Sequence, residues 1–557
     1  MKLSQLPLTL VPFTAYFAPA GKLVWHQKSK NLDQSLLLKS YSYTVKSKHS
    51  LSKTFYADCY GGGLAGNGGS ARCGYDFQYQ VKGIGVTPLL GRRADQYHSS
   101  GKLSLQQALV EVIWSEVLSQ ACPHGVIHPI AVIDLNSKIE GQFFDRSDRE
   151  ALLIREAPVR LAHLERAFRF IPQLEHECLI PRDADRVKLC IGILEEILNG
   201  DLVIGREGPL HISTIEVLKE SVRRMAAQLA YAHVNLIKLT TSPSNIEING
   251  KILDVTNTFC MWGMATSEPE KYYRYHRGAI GEQKSILNCL DNICYYIKKY
   301  RPDIFSKNLH AELRSAYAIS YIHQLDTSVL IKVGFPPRLI SLISTDTQKK
   351  IRGAYIKCVL DSNSIIFKST TDNLPLLYKY VGSRYSESTD VFSDHLENLF
   401  DETLVQGIVD AIKEVEISDA RLNKRWSYYV QLRIIMKFIF LPKFCYTSIN
   451  HNLSELIQSS KDGSLTSSFE LLLSELIYIG KACFSEVSDE IHLLASPAVT
   501  LQIDEKRISL TVYKETDSPL PYYELKKFIS CEPLLWRSIE KQYPKKVTDL
   551  IANLLDK

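Results

Sequence analysis

The chain has 557 residues, 45% of them hydrophobic and 23% charged, ordinary globular values that exclude a disordered or fibrous protein. At roughly 100–200 residues per domain, this length predicts about three or four domain-sized units. The formal net charge of +5 is too small on so large a surface to argue for nucleic acid, and no apolar run is long enough for a membrane-spanning helix.

Twelve cysteines include no CxxC pair. The nearest two, Cys289 and Cys294, are expected on a buried helix, and free thiols point to a reducing, cytoplasmic setting. At the N-terminus, Lys2 and the mostly uncharged stretch up to Ala18-Pro19-Ala20 loosely follow the layout of a secretion signal. Gln5, Pro7, Thr9 and Pro12 interrupt and dilute that stretch, so it is not expected to act as a secretion signal.

Next comes a glycine-rich segment, Tyr56-Ala-Asp-Cys-Tyr-Gly-Gly-Gly-Leu-Ala-Gly-Asn-Gly-Gly-Ser-Ala-Arg72. Backbone without Cβ, as at Gly66, Gly68 and Gly69, can come close to a phosphate and aim N–H groups at it. No Lys-Ser/Thr pair follows, so this is not a Walker A loop, and a flexible surface loop is the competing reading. Phe77, Tyr79 and Val81 alternate with Gln78, Gln80 and Lys82, predicting a half-buried strand with Lys82 on its polar face. Ser104-Leu-Gln-Gln107 is a capping box that opens a helix carrying Leu105, Leu109, Val112 and Val117, with Glu111 on it. His124 and His128 have helical spacing, but Pro123, Gly125 and Pro129 forbid a clean helix, so no metal site is expected there.

Arg155 and Arg160 offer planar donor forks suited to phosphate, with salt bridges to Glu156 or Glu165 as the plain alternative. A second capping box, Ser213-Thr-Ile-Glu216, opens a helix with Val217, Val222, Met225 and Leu229 on one side. Asn249-Gly250 then marks a tight hairpin, flanked by Asn245 and Asp254. An amide oxygen and a carboxylate brought together across it can bind Mg²⁺. Beyond about residue 280 the chain reads as mainly helical, with one further hairpin across Asp504-Glu505-Lys506.

Glycine loop, lysine strand and glutamate helix, in that order, is the arrangement of the first lobe of a protein kinase. A strand lysine held by a helix glutamate fixes nucleotide phosphates. The same stretches resemble the selenoprotein O family: residues 56–72, Val81-Lys-Gly-Ile-Gly-Val-Thr-Pro88, Glu111-Val-Ile-Trp-Ser-Glu116, Arg155-Glu-Ala-Pro158, and near the start Leu23-Val-Trp-His26. The resemblance is patchy but ordered over about residues 15–300. It implies a two-lobed, kinase-like α/β (α+β) fold that binds ATP in a flipped orientation and transfers AMP to protein hydroxyls. The implied layout is a first lobe at 1–135, a second at 136–300, and a mainly helical extension at 301–557.

By the same resemblance Lys82 is the phosphate lysine and Glu111 its partner. Arg155 is the first phosphate arginine and Arg160 the second, the latter only if two residues are deleted between them. Asn245 and Asp254 are the Mg²⁺ ligands. The chain departs from the family at three places. The catalytic-base aspartate is replaced by Ser244, a histidine and a glutamine of the glycine segment by Cys59 and Tyr60, and the C-terminal redox cysteine or selenocysteine is missing. A serine hydroxyl cannot act as a base near neutral pH without its own activator.

The expected function is therefore ATP- and Mg²⁺-dependent AMP transfer to a protein or peptide, without nucleic-acid or membrane partners. One alternative is activation of a peptide C-terminal carboxylate as an acyl-adenylate. That acceptor needs no deprotonation, and a second enzyme would then form the ester or amide, as siderophore-microcin maturation requires. The other alternative is a nucleotide-binding pseudoenzyme.

Overall fold

The computed structural model describes residues 2–30, 32–62, 66–94, 99–140, 148–202, 213–261, 269–357, 402–419, 426–438, 441–459, 466–485, 491–495, 498–503, 508–513, 518–543 and 545–555. The fold is mixed α/β. Eight strands form one antiparallel sheet: β1 (Leu10–Phe17), β2 (Lys22–His26), β3 (Tyr43–Thr44), β4 (Ser52–Asp58), β5 (Cys73–Tyr75), β6 (Gln80–Lys82), β7 (Pro129–Lys138) and β8 (Arg149–Arg155). Their spatial order is β2-β7-β8-β6-β5-β4-β1-β3. The N-terminal segment is thus part of the sheet. Pro12, which has no N–H to donate, sits where β3 does not reach, because β3 pairs only with Tyr16 and Phe17.

The half-buried strand expected from Phe77 onward is shorter than its alternation suggests. Phe77 lies in a turn with φ of +73°, and Asp76 accepts the backbone N–H groups of Gln78 and Tyr79 at 3.1 and 2.9 Å. Only Gln80–Lys82 is strand, paired to β5 on one side and β8 on the other, and all three residues are buried. Lys82 therefore has no solvent-facing polar face.

Helix α1 (Gln34–Tyr41) precedes α2 (Leu105–Ala121), which opens with the predicted reciprocal capping box of Ser104 and Gln107. The periodicity suggested one apolar side, yet α2 is buried almost all round. Its second side is covered by distant chain: the Trp114 ring lies 5.0 Å from Phe444 and 5.9 Å from Phe484. After α3 (Asp183–Gly192) and α4 (Leu194–Leu202) comes α5 (Thr214–Val234), with Ser213 as N-cap accepting the Glu216 N–H at 3.3 Å. Val217, Val222, Met225 and Leu229 are all buried, as their spacing predicted. The hairpin also forms where expected. Glu247 N–H donates to Lys251 O at 2.8 Å, and Gly250 takes a φ of +94° at the turn.

Helices α6 (Pro269–Tyr300) and α7 (Leu309–Lys332) follow; Cys289 and Cys294 are buried free thiols on α6, as predicted. The later helices include 402–418, 426–438, 446–459 and 466–484. The region after 300 is mainly helical, but it carries a four-stranded antiparallel sheet. Residues 498–503 pair with 508–513, as the hairpin reading anticipated, while the Asp504–Lys506 turn itself lies outside the described residues.

Among the described residues, buried side chains on both sides of residue 300 belong to one cluster, which runs from Leu3 to Leu555. Tyr231 Oη donates to Phe484 O at 2.8 Å, and Tyr355 Oη to Val234 O at 2.9 Å. Among the described residues no helix is long and apolar enough to cross a membrane. Because Trp114 joins the two regions, Trp114→Ala should destabilise the whole chain by about 3–5 kcal/mol, seen as a single shifted transition in urea unfolding. Loss of only the C-terminal part, with the sheet unaffected, would contradict a shared core.

Candidate functional site

Gln80 and Lys82 stand two apart on β6 and so share one face of the sheet, aimed at the same cluster of side chains. The Lys82 ammonium has three protons and meets three acceptors. It donates to Glu111 Oε2 at 2.6 Å and to Thr256 Oγ1 at 2.7 Å, and it pairs with Asp254. Glu111, on α2, takes Arg155 Nη1 on its other oxygen at 2.8 Å. Burial favours the neutral form of the Glu111 carboxyl, yet Lys82 and Arg155 hold its pKa below the usual value. Asp254 is likewise held well below the carboxylate range, since Lys82, Arg155 and Arg72 outweigh burial. Its backbone is left-handed, with φ of 58°, a conformation aspartate tolerates better than most residues.

Gln80 is the hub that sequence reasoning missed. Its carbonyl accepts Arg155 Nε and Nη2 at 3.0 and 2.9 Å and Arg160 Nη2 at 3.4 Å. Its amide donates to Asp58 Oδ1 at 3.1 Å. Asp58, fully buried, lies 3.6 Å from Arg160 and 3.4 Å from His163. Burial opposes its ionisation, but His163, Arg160 and Ser70 bring its pKa down to about 2. His163 itself is pushed down by burial. The Arg160 guanidinium stacks over the Tyr60 ring at 4.6 Å. The period-2 spacing of Gln80 from Lys82 was the one available signal for this network; Asp58 and His163 had none.

Beside these side chains opens a cavity of about 340 Å³, within the size range of small-ligand sites. The predicted residues Arg72, Arg155, Arg160, Ser244, Asn245 and Asp254 all line it, with Lys82 and Glu111 bonded just behind. Arg155 and Arg160 are thus tied to Glu111, Gln80 and Asp58, and the alternative bridges to Glu156 and Glu165 do not form; Glu156 pairs with Lys30. Counting the partners behind them, Arg72, Lys82, Arg155 and Arg160 face Asp58, Glu111 and Asp254, an excess of one positive charge, with three arginines lining the opening where an anion would enter.

The glycine segment divides in two. Gly69 lines the cavity together with Gly61 and Gly62, and a Cβ on Gly69 would sit 2.1 Å from Asp58 O. Gly66 and Gly68, expected to cradle phosphate, do not line it. A Cβ on Gly68 would meet the Phe170 ring at 2.5 Å, so its missing side chain serves packing. Gly63 lies outside the described residues.

Ser244 Oγ is 2.8 Å from Ser242 Oγ, and its carbonyl accepts from Arg160. Asn245 donates Nδ2 to Thr240 O at 3.2 Å, which leaves Oδ1 as an acceptor. Leu253 N–H donates to Asn245 O at 3.1 Å across the hairpin, tying the chain of one candidate ligand to the residue before the other. Asp254 keeps about a quarter of its side chain (26%) exposed and stays ionised, so the pair suits a hard cation that retains water or phosphate ligands. No protein-family model matches the chain, and no curated protein matches it in sequence.

Asp58 supplies a pH test of this frame. Its pKa falls from an ordinary 3.8 to about 2 on folding, so its contribution is complete above about pH 5 and is lost as the pH falls through 2. Asp58→Asn should cost about 2 kcal/mol or more at pH 7, and the gap from the parent protein should close toward pH 2 in denaturant titrations. A gap that does not change with pH would show that Asp58 is not held ionised by Arg160 and His163.

Proposed function

We propose that the chain is a two-lobed kinase-fold nucleotidyltransferase that moves AMP from ATP, with Mg²⁺, onto a protein or peptide acceptor. One convergence carries this reading. Residues spread from Arg72 to Asp254 meet at one cationic cavity, with Lys82 locked between Glu111 and the candidate metal aspartate. In the proposed reaction an acceptor oxygen attacks the α-phosphorus, the bond to the β-phosphate oxygen breaks, and pyrophosphate leaves. Arg72, Arg155 and Arg160 offset phosphate charge, and their fixed partners spare them from reorganising as charge moves.

Asn245 and Asp254 would hold Mg²⁺, which when bound offsets the charge of the phosphates. Lys82, held by Glu111 and Thr256, lies against Asp254 and would be placed to offset charge at the phosphates if Asp254 held the cation. Glu111 keeps the ammonium in place throughout. Asp254→Ala and Lys82→Met should each lower ATP-dependent pyrophosphate release by roughly 10²-fold or more. Asp254→Ala should also remove the Mg²⁺-dependent rise in melting temperature given by ATP. If ATP and Mg²⁺ do not stabilise the parent protein, the proposal fails. Stabilisation without pyrophosphate release would instead identify a pseudoenzyme.

A second reading, a carboxylate acceptor, is favoured by the surroundings of Ser244. Its hydroxyl faces Ser242, and the one carboxylate among the lining residues is Asp254, already engaged by Lys82. Among the described residues no base is thus at hand for a hydroxyl acceptor, whereas a carboxylate needs none. Ser244→Asp should speed transfer to a hydroxyl and slow transfer to a carboxylate, which the added charge repels. The products also differ. Label from α-³²P-ATP on Ser, Thr or Tyr survives hydroxylamine, whereas an acyl-adenylate is trapped as a hydroxamate.

A further inference from the structure

A second cavity, of about 700 Å³, lies at the tip of the same hairpin whose base carries Asn245 and Asp254. Its walls are the C-terminal end of α2, the loop 122–128, Arg224 of α5, Asn249 and Lys251 of the turn, and Ser485. The frame is rigid. Gln228, fully buried, donates to Gly125 O at 2.7 Å and Gly250 O at 3.0 Å, bridging loop and turn. Ile127 N–H donates to Ile252 O at 2.8 Å beside it. A Cβ on Gly250 would sit 2.6 Å from Arg224 Cβ, so the turn closes directly on the arginine.

The charge of this cavity is one-sided. Among the described residues, Arg224 and Lys251 line it with His124 and His128, and no described carboxylate does. Glu220, on the same helix, takes Arg224 Nε at 3.1 Å. The Arg224 Nη groups and Lys251 Nζ have no partner among the described residues. Other cations of α5 are better compensated: Lys219 pairs with both Glu216 and Glu312, and Arg223 with Glu216 and Glu220. Burial and the Arg224 charge push His124 down to about 4, so the ring is neutral at pH 7. The α2 C-terminus adds about half a negative charge to one wall, less than the two full cations opposite.

We propose that this cavity is a binding site for a small, multiply charged anion, a phosphate or a carboxylate, separate from the arginine-lined cavity at the base of the hairpin. Arg224 and Lys251 would hold the anion, and the backbone frame around Gln228 keeps them in place before it arrives.

Calorimetric titration of the full-length protein with inorganic pyrophosphate, and separately with citrate, tests the assignment and distinguishes the two anion types. At least one of them should bind, and Arg224→Gln/Lys251→Gln should weaken that event at least about tenfold, since charge-assisted hydrogen bonds are lost. Arg72→Gln, which alters only the arginine-lined cavity, should leave the event in place, so failure here is separable from failure of the proposed function. In the parent protein, the bound anion should slow amine-reactive labelling of Lys251, read by mass spectrometry, a result that does not depend on how any variant folds. Unchanged affinity for both anions in the double variant, or Lys251 labelling that neither anion slows, overturns the proposal.

Discussion

Two cations and two carboxylates leave water together at the centre of this fold. Lys82, Arg155 and Glu111 are almost wholly buried, and Asp254 is open only on the cavity side. Desolvating such groups costs several kcal/mol per ion, and the cluster is tolerable only because its charges sum to zero and its donors find acceptors. Removing one member leaves an uncompensated buried charge, at a cost of about 3–5 kcal/mol. The cluster therefore demands that β6, α2, β8 and the segment after the hairpin all arrive in one register. Most of the architecture around residues 50–260 can be read as meeting that demand.

A second layer extends the same logic outward. Gln80 ties Arg155 and Arg160 to Asp58, and Asp58 is itself held ionised by Arg160 and His163. Arg155 and Arg160 are therefore fixed from behind by carboxylates and an amide that lie almost entirely within the core. These donors need little ordering, because their partners already hold them. The region after residue 300 contributes from further away: Phe444 and Phe484 close over the Trp114 side of α2, the helix that presents Glu111.

Much of the site was legible because its parts are local. A capping box places the start of α2 within a residue, and helical spacing then sets where Glu111 falls. Asn-Gly specifies a tight turn whatever surrounds it, so Asn245 and Asp254 had to flank a hairpin. The glycine segment misled in part, since a missing Cβ is needed equally for approach to a ligand and for packing. Gly69 borders the cavity, while Gly68 makes room for the ring of Phe170, a hundred residues later in the chain.

By itself the sequence determined the starts of α2 and α5, the hairpin turn, and the candidate residues Lys82, Glu111, Arg155, Asn245 and Asp254, all set by short-range stereochemistry and by side-chain type. Only the tertiary structure decided that Lys82 is buried on every side, that Gln80 and Asp58 position Arg155 and Arg160, and that described residues on both sides of residue 300 share one buried cluster. Those outcomes depend on contacts between residues tens to hundreds of positions apart. Such contacts form because buried charges must find partners and apolar helix faces must find cover, and neither need specifies its partner from within a local window.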